Sequence, residues 1–297
     1  MMSTVEKTQS KWETATQEEK ESALVSATEK GDVTMIKALL VAGVDVHKQP
    51  RQDKEGRSLI HLACKNGHTE VIKLLLELPS SPAENMMRDK QDKNGQTPLR
   101  SAAENGRVDA VMVLLAAGAD ANKADNNQRI PLHWASWNSH IEILKLLIDA
   151  GSEVNKQDKD GRTPLHMTGK SGRAEAAKVL IEYGAADVNK QSKFGETPLH
   201  WASAEGHVEV MKVLIEHGAE KERLENNGRT PLHVVKSGEA AKVLIDAAGV
   251  NCNKPDKNGL TPIHIASDSN HVDVVKTLID AGVNLNLQQD DGLTPLH

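Results

Sequence analysis

The chain carries 13 histidines, the side chain most often used for proton transfer and metal ligation near neutral pH. Their spacing is regular. His61, His133, His166, His200, His233, His264 and His297 each stand fourth in a motif of the TPLH kind. His68, His140, His207 and His271 recur in a second slot further along, and only His47 and His217 stand outside both. A metal centre needs two or more ligands converging within bonding range; one histidine per motif, in register along a chain, does not converge. A catalytic histidine needs a nucleophile and an orienting partner, and neither recurs beside it. Asp53, Asp92, Asp125, Asp158 and Asp256 also repeat. A calcium loop needs acids at alternate positions and a closing glutamate, whereas a fixed aspartate a few residues before a glycine suits turn capping. No Gly-rich phosphate loop is present. The reading is of a chain with no catalytic residue, no metal site and no cofactor, in which the histidine belongs to a frame.

The frame follows from the period. Motif starts fall at Ser22, Ser58, Thr97, Ile130, Thr163, Thr197, Thr230, Thr261 and Thr294, most often 33 residues apart. The stretch 158–191 shows what one period builds. Thr163 caps a helix and Pro164 suits its first turn, where a missing N–H costs nothing. PLHMTGKS then makes a short inner helix. GRAEAAKVLIEY makes a second, with Ala177, Val179, Leu180 and Ile181 toward the stack and Gly184 in the left-handed position that ends it. The polar, turn-rich DVNKQSKFG reads as an extended finger. One such unit cannot bury its apolar face; stacked neighbours can. Units fall at about 17–52 (an N-terminal cap with Thr16 and Glu19 as a capping box), 53–91, 92–124, 125–157, 158–191, 192–224, 225–255, 256–288 and an incomplete 289–297. Residues 1–15 read as a flexible tail, from which Trp12 folds back on the cap. The fold class is all-α: about eight stacked helix–turn–helix units with β-hairpin-like fingers, truncated in a ninth, making a curved rod with one concave face.

The pattern TPLH…A…GH…V…LL…G, followed by a stretch like VNKQDKDGR, resembles the ankyrin-repeat family over nearly all residues from about 17 onward. The resemblance implies that the motif histidine bonds back to the motif threonine and to neighbouring backbone. Thr163, Pro164, His166, Thr197, Pro198, His200, Thr230, His233, Thr261 and His264 are then structural. It also implies that partners meet the finger tips and the exposed face of the inner helices.

Carried over position by position, that places candidate contacts at Glu104, Trp137, Asn138 and Lys170 on inner helices. Trp137 stands out, because exposed tryptophans in grooves are frequent hot spots. Trp134 and Trp201, directly after the motif histidine, are read as core. Phe194, the chain's one phenylalanine, marks a finger tip. Most of the fingers are net positive although the chain as a whole is at −6. Arg129, Lys159, Arg162, Lys193 and Arg229 lie in that row, which would steer an acidic segment of a partner.

Bulk composition supports a thin stack. Hydrophobic residues make up 38% and aromatic residues 2%, few for a deep core. A pI near 6.1 and the lack of an aromatic stacking series argue against nucleic acid. No apolar run approaches the ~20 residues a membrane helix needs, so direct membrane insertion is not expected, and no signal peptide is visible. Cys64 and Cys252 suit a reducing compartment, cytoplasmic or nuclear. Both are placed in core slots. Several departures from the motif are expected to weaken local capping: Ser58–Leu59, Arg100 in TPLR, and Gln128 with Ile130. Residues 77–90 carry an inserted surface loop. The unit at Thr230 is shortened at its inter-helix turn. The leading functional reading is a non-enzymatic, monomeric scaffold that binds a protein partner. The alternative is the regulatory or targeting arm of a larger enzyme or channel continuing beyond residue 297, of which this chain would be a fragment.

Overall fold

The computed structural model describes residues 12, 14–46, 54–78, 87–247 and 249–297. The terminal tail up to residue 11, the finger around Asp53, His47 and the inserted loop at 79–86 lie outside the described residues. Helices and turns account for the described structure, with no strand among these residues. The helices come in pairs: α1 (Gln17–Lys30) with α2 (Val33–Val41), α3 (Leu59–Asn66) with α4 (Thr69–Glu77), α5 (Pro98–Glu104) with α6 (Val108–Ala116), α7 (Pro131–Asn138) with α8 (Ile141–Asp149), α9 (Pro164–Ser171) with α10 (Ala174–Lys178), α11 (Pro198–Glu205) with α12 (Val208–Glu216), and α14 (Pro262–Asp268) with α15 (Val272–Asp280). Between the last two pairs α13 (Gly238–Asp246) stands opposite a 3-10 turn, Pro231–Val234, in place of an inner helix. By its internal contacts the chain divides into two compact units, residues 1–132 with 149–152, and residues 133–148 with 153–297.

In the first unit Thr16 and Glu19 form a reciprocal capping box. The Thr16 N–H donates to Glu19 Oε2 (2.8 Å) and the Glu19 N–H to Thr16 Oγ1 (3.2 Å). Trp12, read as part of the tail, is buried. Leu24, Ile36, Leu39, Ile60, Ile72, Leu75, Leu99 and Leu114 are fully buried, each worth about 1.5–3 kcal/mol of transfer free energy. The turn between paired helices locks neighbours in register. Arg107 Nε donates to the Lys65 carbonyl at 3.1 Å, and His68 Nε2 lies 2.7 Å from that of Glu29. Cys64 is wholly buried, and burial pushes its thiol far above the usual range, so it is an unreactive core group.

Two of the departures keep their caps. His61 Nδ1 accepts the Ser58 N–H (3.3 Å), and Thr97 Oγ1 accepts the Arg100 N–H (3.1 Å). Ile130 is fully buried and has no oxygen to offer a helix end. Before it, Gln128 takes the left-handed φ of 63° that Gly95 takes at 74° in the finger before. A side chain pays roughly 1–2 kcal/mol for that conformation. Allowing for the greater freedom of an unfolded glycine, Gln128→Gly should stabilise the chain by about 0.5–1 kcal/mol. A rise in the urea midpoint at unchanged slope checks this; a fall would show that the Gln128 side chain makes compensating contacts.

The second unit contains two corrections. Gly184 does not end its helix in the left-handed region; its φ is −98°, and Ala185 takes the positive value, 54°. The spacing from Thr163 to Thr197 is one residue longer than the usual period, and the extra residue is absorbed as a π-helical turn over Val179–Tyr183. That turn shifts the C-terminal residues along by one. Secondly, the deletion in the Thr230 unit removes the inner helix itself. After the 3-10 turn, Val235 is extended and Ser237 starts α13, its Oγ accepting the Ala240 N–H at 3.2 Å. Cys252, expected in the core, is only half-buried.

Candidate functional site

Four motif histidines are used the same way, His61 in the first unit and His166, His200 and His233 in the second. In the second, Thr163, Thr197 and Thr230 donate their backbone N–H to Nδ1 of His166, His200 and His233 at 3.1, 3.1 and 3.0 Å. Nδ1 is therefore the lone-pair nitrogen, and the neutral ring carries its proton on Nε2. That proton is donated to the carbonyl of Glu196, Arg229 or Leu260, at 3.1, 3.1 and 3.2 Å, at the base of the next finger. In the first unit His61 joins Ser58 to the Gln96 carbonyl (2.8 Å). One ring thus caps its own helix and ties it to the following repeat. Burial lowers the pKa of His61 and His200, and takes those of His166 and His233 down to about 4.

The described fingers are tight turns, and no strand is assigned among the described residues. Asp158 N–H donates to the Arg162 carbonyl (2.8 Å), while Asp158 Oδ1 accepts from the N–H of Asp160 and Arg162, both at 2.9 Å. Asp92, Asp125 and Asp256 do the same at their own tips. Successive tips are joined by single backbone bonds. Lys193 N–H donates to the Asp160 carbonyl (2.9 Å), Asn226 N–H to Phe194 (3.0 Å) and Lys257 N–H to Asn227 (3.0 Å). Phe194 projects from its tip at 51% exposure. Lys159, Lys193 and Lys257 are exposed on their own fingers. The arginines of this row are engaged internally: Arg162 with Asp160 at 2.9 Å, Arg229 with the buried Asp256 at 3.1 Å. Arg129 is half-buried on its finger in the first unit.

On the inner face, Glu104 is bound by Arg100, whose Nη1 donates to Glu104 Oε2 and to Gln96 Oε1, both at 2.7 Å. That side chain is buried where other repeats hold the histidine. Trp137 and Asn138 are half-buried at the end of α7, and the Trp137 carbonyl accepts from Arg173 Nε at 3.3 Å. The two tryptophans read as core are half-buried as well. Trp201 is the more informative. The Arg162 guanidinium carbon lies 4.7 Å, and Lys170 Nζ 4.6 Å, from its ring centroid. Its Nε1–H donates to Glu196 Oε2 at 2.9 Å. Two of the candidate residues, Arg162 and Lys170, therefore gather around a side chain the sequence reading had assigned to the interior. The signal was available: Trp201 shares a helix face with Ala204 and Glu205 three and four residues on, and Ala204 aligns with the inner-helix position of Lys170 one repeat earlier. Among the described residues no three His, Cys, Asp or Glu side chains converge on a metal-sized site, and no helix is long and apolar enough to cross a membrane.

A sequence model of the ankyrin-repeat family (ankyrin repeats, three copies) matches residues 4–86, 81–158, 132–225 and 221–289. The chain belongs to the ankyrin-repeat family, whose repeats generally serve as protein–protein interaction modules and not as enzymes. Comparison with individual curated proteins returned no match.

Proposed function

We propose that this chain is a non-enzymatic scaffold that binds a protein partner across the inner-helix face and finger tips of its second unit. The observation that carries the reading is Trp201, half-exposed, with two cations packed against its ring and its N–H already satisfied. Such a ring offers a rigid surface at low entropic cost, the usual character of an interface hot spot. Trp137 and Asn138 extend the inner face. Phe194 and Lys193 supply an apolar and a charged contact at the tips, where the lysine row favours approach of an acidic segment. Two free cysteines suit a reducing, cytoplasmic or nuclear, setting.

The test is selection of binders from a displayed library against the whole chain, followed by single substitutions. Trp201→Ala should weaken the dominant binders by about tenfold or more, equivalent to at least ~1.4 kcal/mol. Trp137→Ala and Phe194→Ala should each reduce affinity by smaller factors, while far-ultraviolet dichroism stays native. Binders indifferent to all three substitutions would place the working surface elsewhere.

A further inference from the structure

We infer that the cleft opened beside Trp201 by the missing inner helix receives a basic side chain, lysine or arginine, of the partner. The inference rests on the interaction reading above and specifies what that surface accepts. Where the seventh repeat has only the Pro231–Val234 turn, a cleft of about 300 Å3 lies between Trp201, Ala204, Glu205 and Val234. That is the lower end of the range for ligand pockets, about 300–1,000 Å3, and suits one long side chain better than a larger molecule.

The occupant's charge follows from the lining. Glu196, Glu205 and Glu225 line the cleft together with Lys170 and Arg229. Arg229 is already compensated by the buried Asp256, and Lys170 lies over the Trp201 ring. Lys170 keeps its charge there, so the lining sets three carboxylates against one uncompensated cation. Glu196 is engaged by the indole N–H, and Glu225 Oε1 caps its turn by accepting from the N–H of Asn227 (2.9 Å) and Arg229 (3.1 Å). Glu205 has no hydrogen-bond or ion-pair partner among the described residues, so its carboxylate is open to an incoming cation. Trp201, Ala204 and Val234 supply apolar surface for the methylene stem that both basic side chains carry. An incoming carboxylate would meet three like charges at close quarters, which is costly.

The probes are N-acetyl-arginine methylamide and N-acetyl-lysine methylamide, with N-acetyl-aspartate methylamide as control, titrated into the whole chain by heteronuclear NMR. The basic probes should shift the Trp201 indole N–H and the Glu205 amide saturably, and added salt should weaken them. Glu205→Gln should reduce their affinity by about fivefold or more. Ala204→Phe should abolish the shifts by filling the cleft, with native dichroism. The idea is overturned if the aspartate probe produces the same shifts, if the basic probes leave these resonances unmoved, or if Ala204→Phe binds as the parent does. If the basic probes fail while library binders still depend on Trp201, the scaffold reading stands and only the occupant is wrong. If the probes bind but no library binder needs Trp201, Trp137 or Phe194, the reverse holds.

Discussion

Stability should fall steeply as the pH drops from about 6.5 toward about 4. The cause is the repeated buried histidine. His166 and His233 have folded pKa values of about 4, against about 6.5 in an unfolded chain. Above pH ~6.5 both states hold a neutral ring and the full stabilisation is present. Between the two values the unfolded chain takes up a proton that the folded chain refuses, so stability declines with falling pH. Each pKa unit is worth about 1.4 kcal/mol, which makes roughly 3 kcal/mol for each of these two rings. His61 and His200 act in the same direction. The refusal has a structural reason: protonating Nδ1 would set it against the threonine or serine N–H that now donates to it. Repeat arrays lose structure through neighbouring units, so the readout is urea unfolding by dichroism, paired with amide exchange of His166 and His233, across this window. A midpoint that is flat from pH 7 to pH 5 would show that these rings are not held neutral.

The second large effect concerns the ladder of finger tips. Gly161→Ala should cost about 2–4 kcal/mol, whereas Gly218→Ala should cost only about 1. Both glycines have strongly positive φ, 79° and 86°, so both alanines carry the left-handed penalty. The difference lies in the surroundings. A Cβ on Gly161 would stand 2.6 Å from the backbone nitrogen of Lys193, while nothing lies within 4 Å of one on Gly218. That nitrogen makes the tip-to-tip bond to Asp160. Backbone cannot rotate out of the way as a side chain can, so the bond must lengthen or break. Equal costs for the two variants in chemical denaturation would mean that the tips are free to separate, and that the ladder contributes little.

Most of the fold was legible from spacing alone. A 33-residue period with a capping threonine, a proline at the first helical position and an apolar second helix can bury its faces only by stacking. That argument needs no knowledge of which neighbour packs where. The capping aspartates were legible for the same reason, since a turn needs its acceptor within a few residues of its donors. Misreadings arose where local and non-local demands differed. Gly184 looked like a helix terminator, but one extra residue was taken up as a π turn and moved the left-handed position to Ala185. The shortened unit at Thr230 looked like a trimmed turn, because a deletion in sequence does not say which element will give way. Arg100 looked like a lost cap, yet the cap is made by the backbone N–H of that position, and any residue but proline supplies one.

The candidate surface was less legible than its frame. The sequence by itself determined the repeat, the structural role of the motif histidine and the general class of interaction module, because these depend on contacts between residues at fixed offsets. Only the tertiary structure decided that Trp201 faces a cleft under Arg162 and Lys170, that Arg229 is bound to Asp256, and that Glu104 is held by Arg100. Those outcomes depend on which side chains of adjacent repeats converge in space, and on the gap left where one inner helix is missing. A period constrains every unit alike, whereas a binding surface is made from the positions at which the units differ.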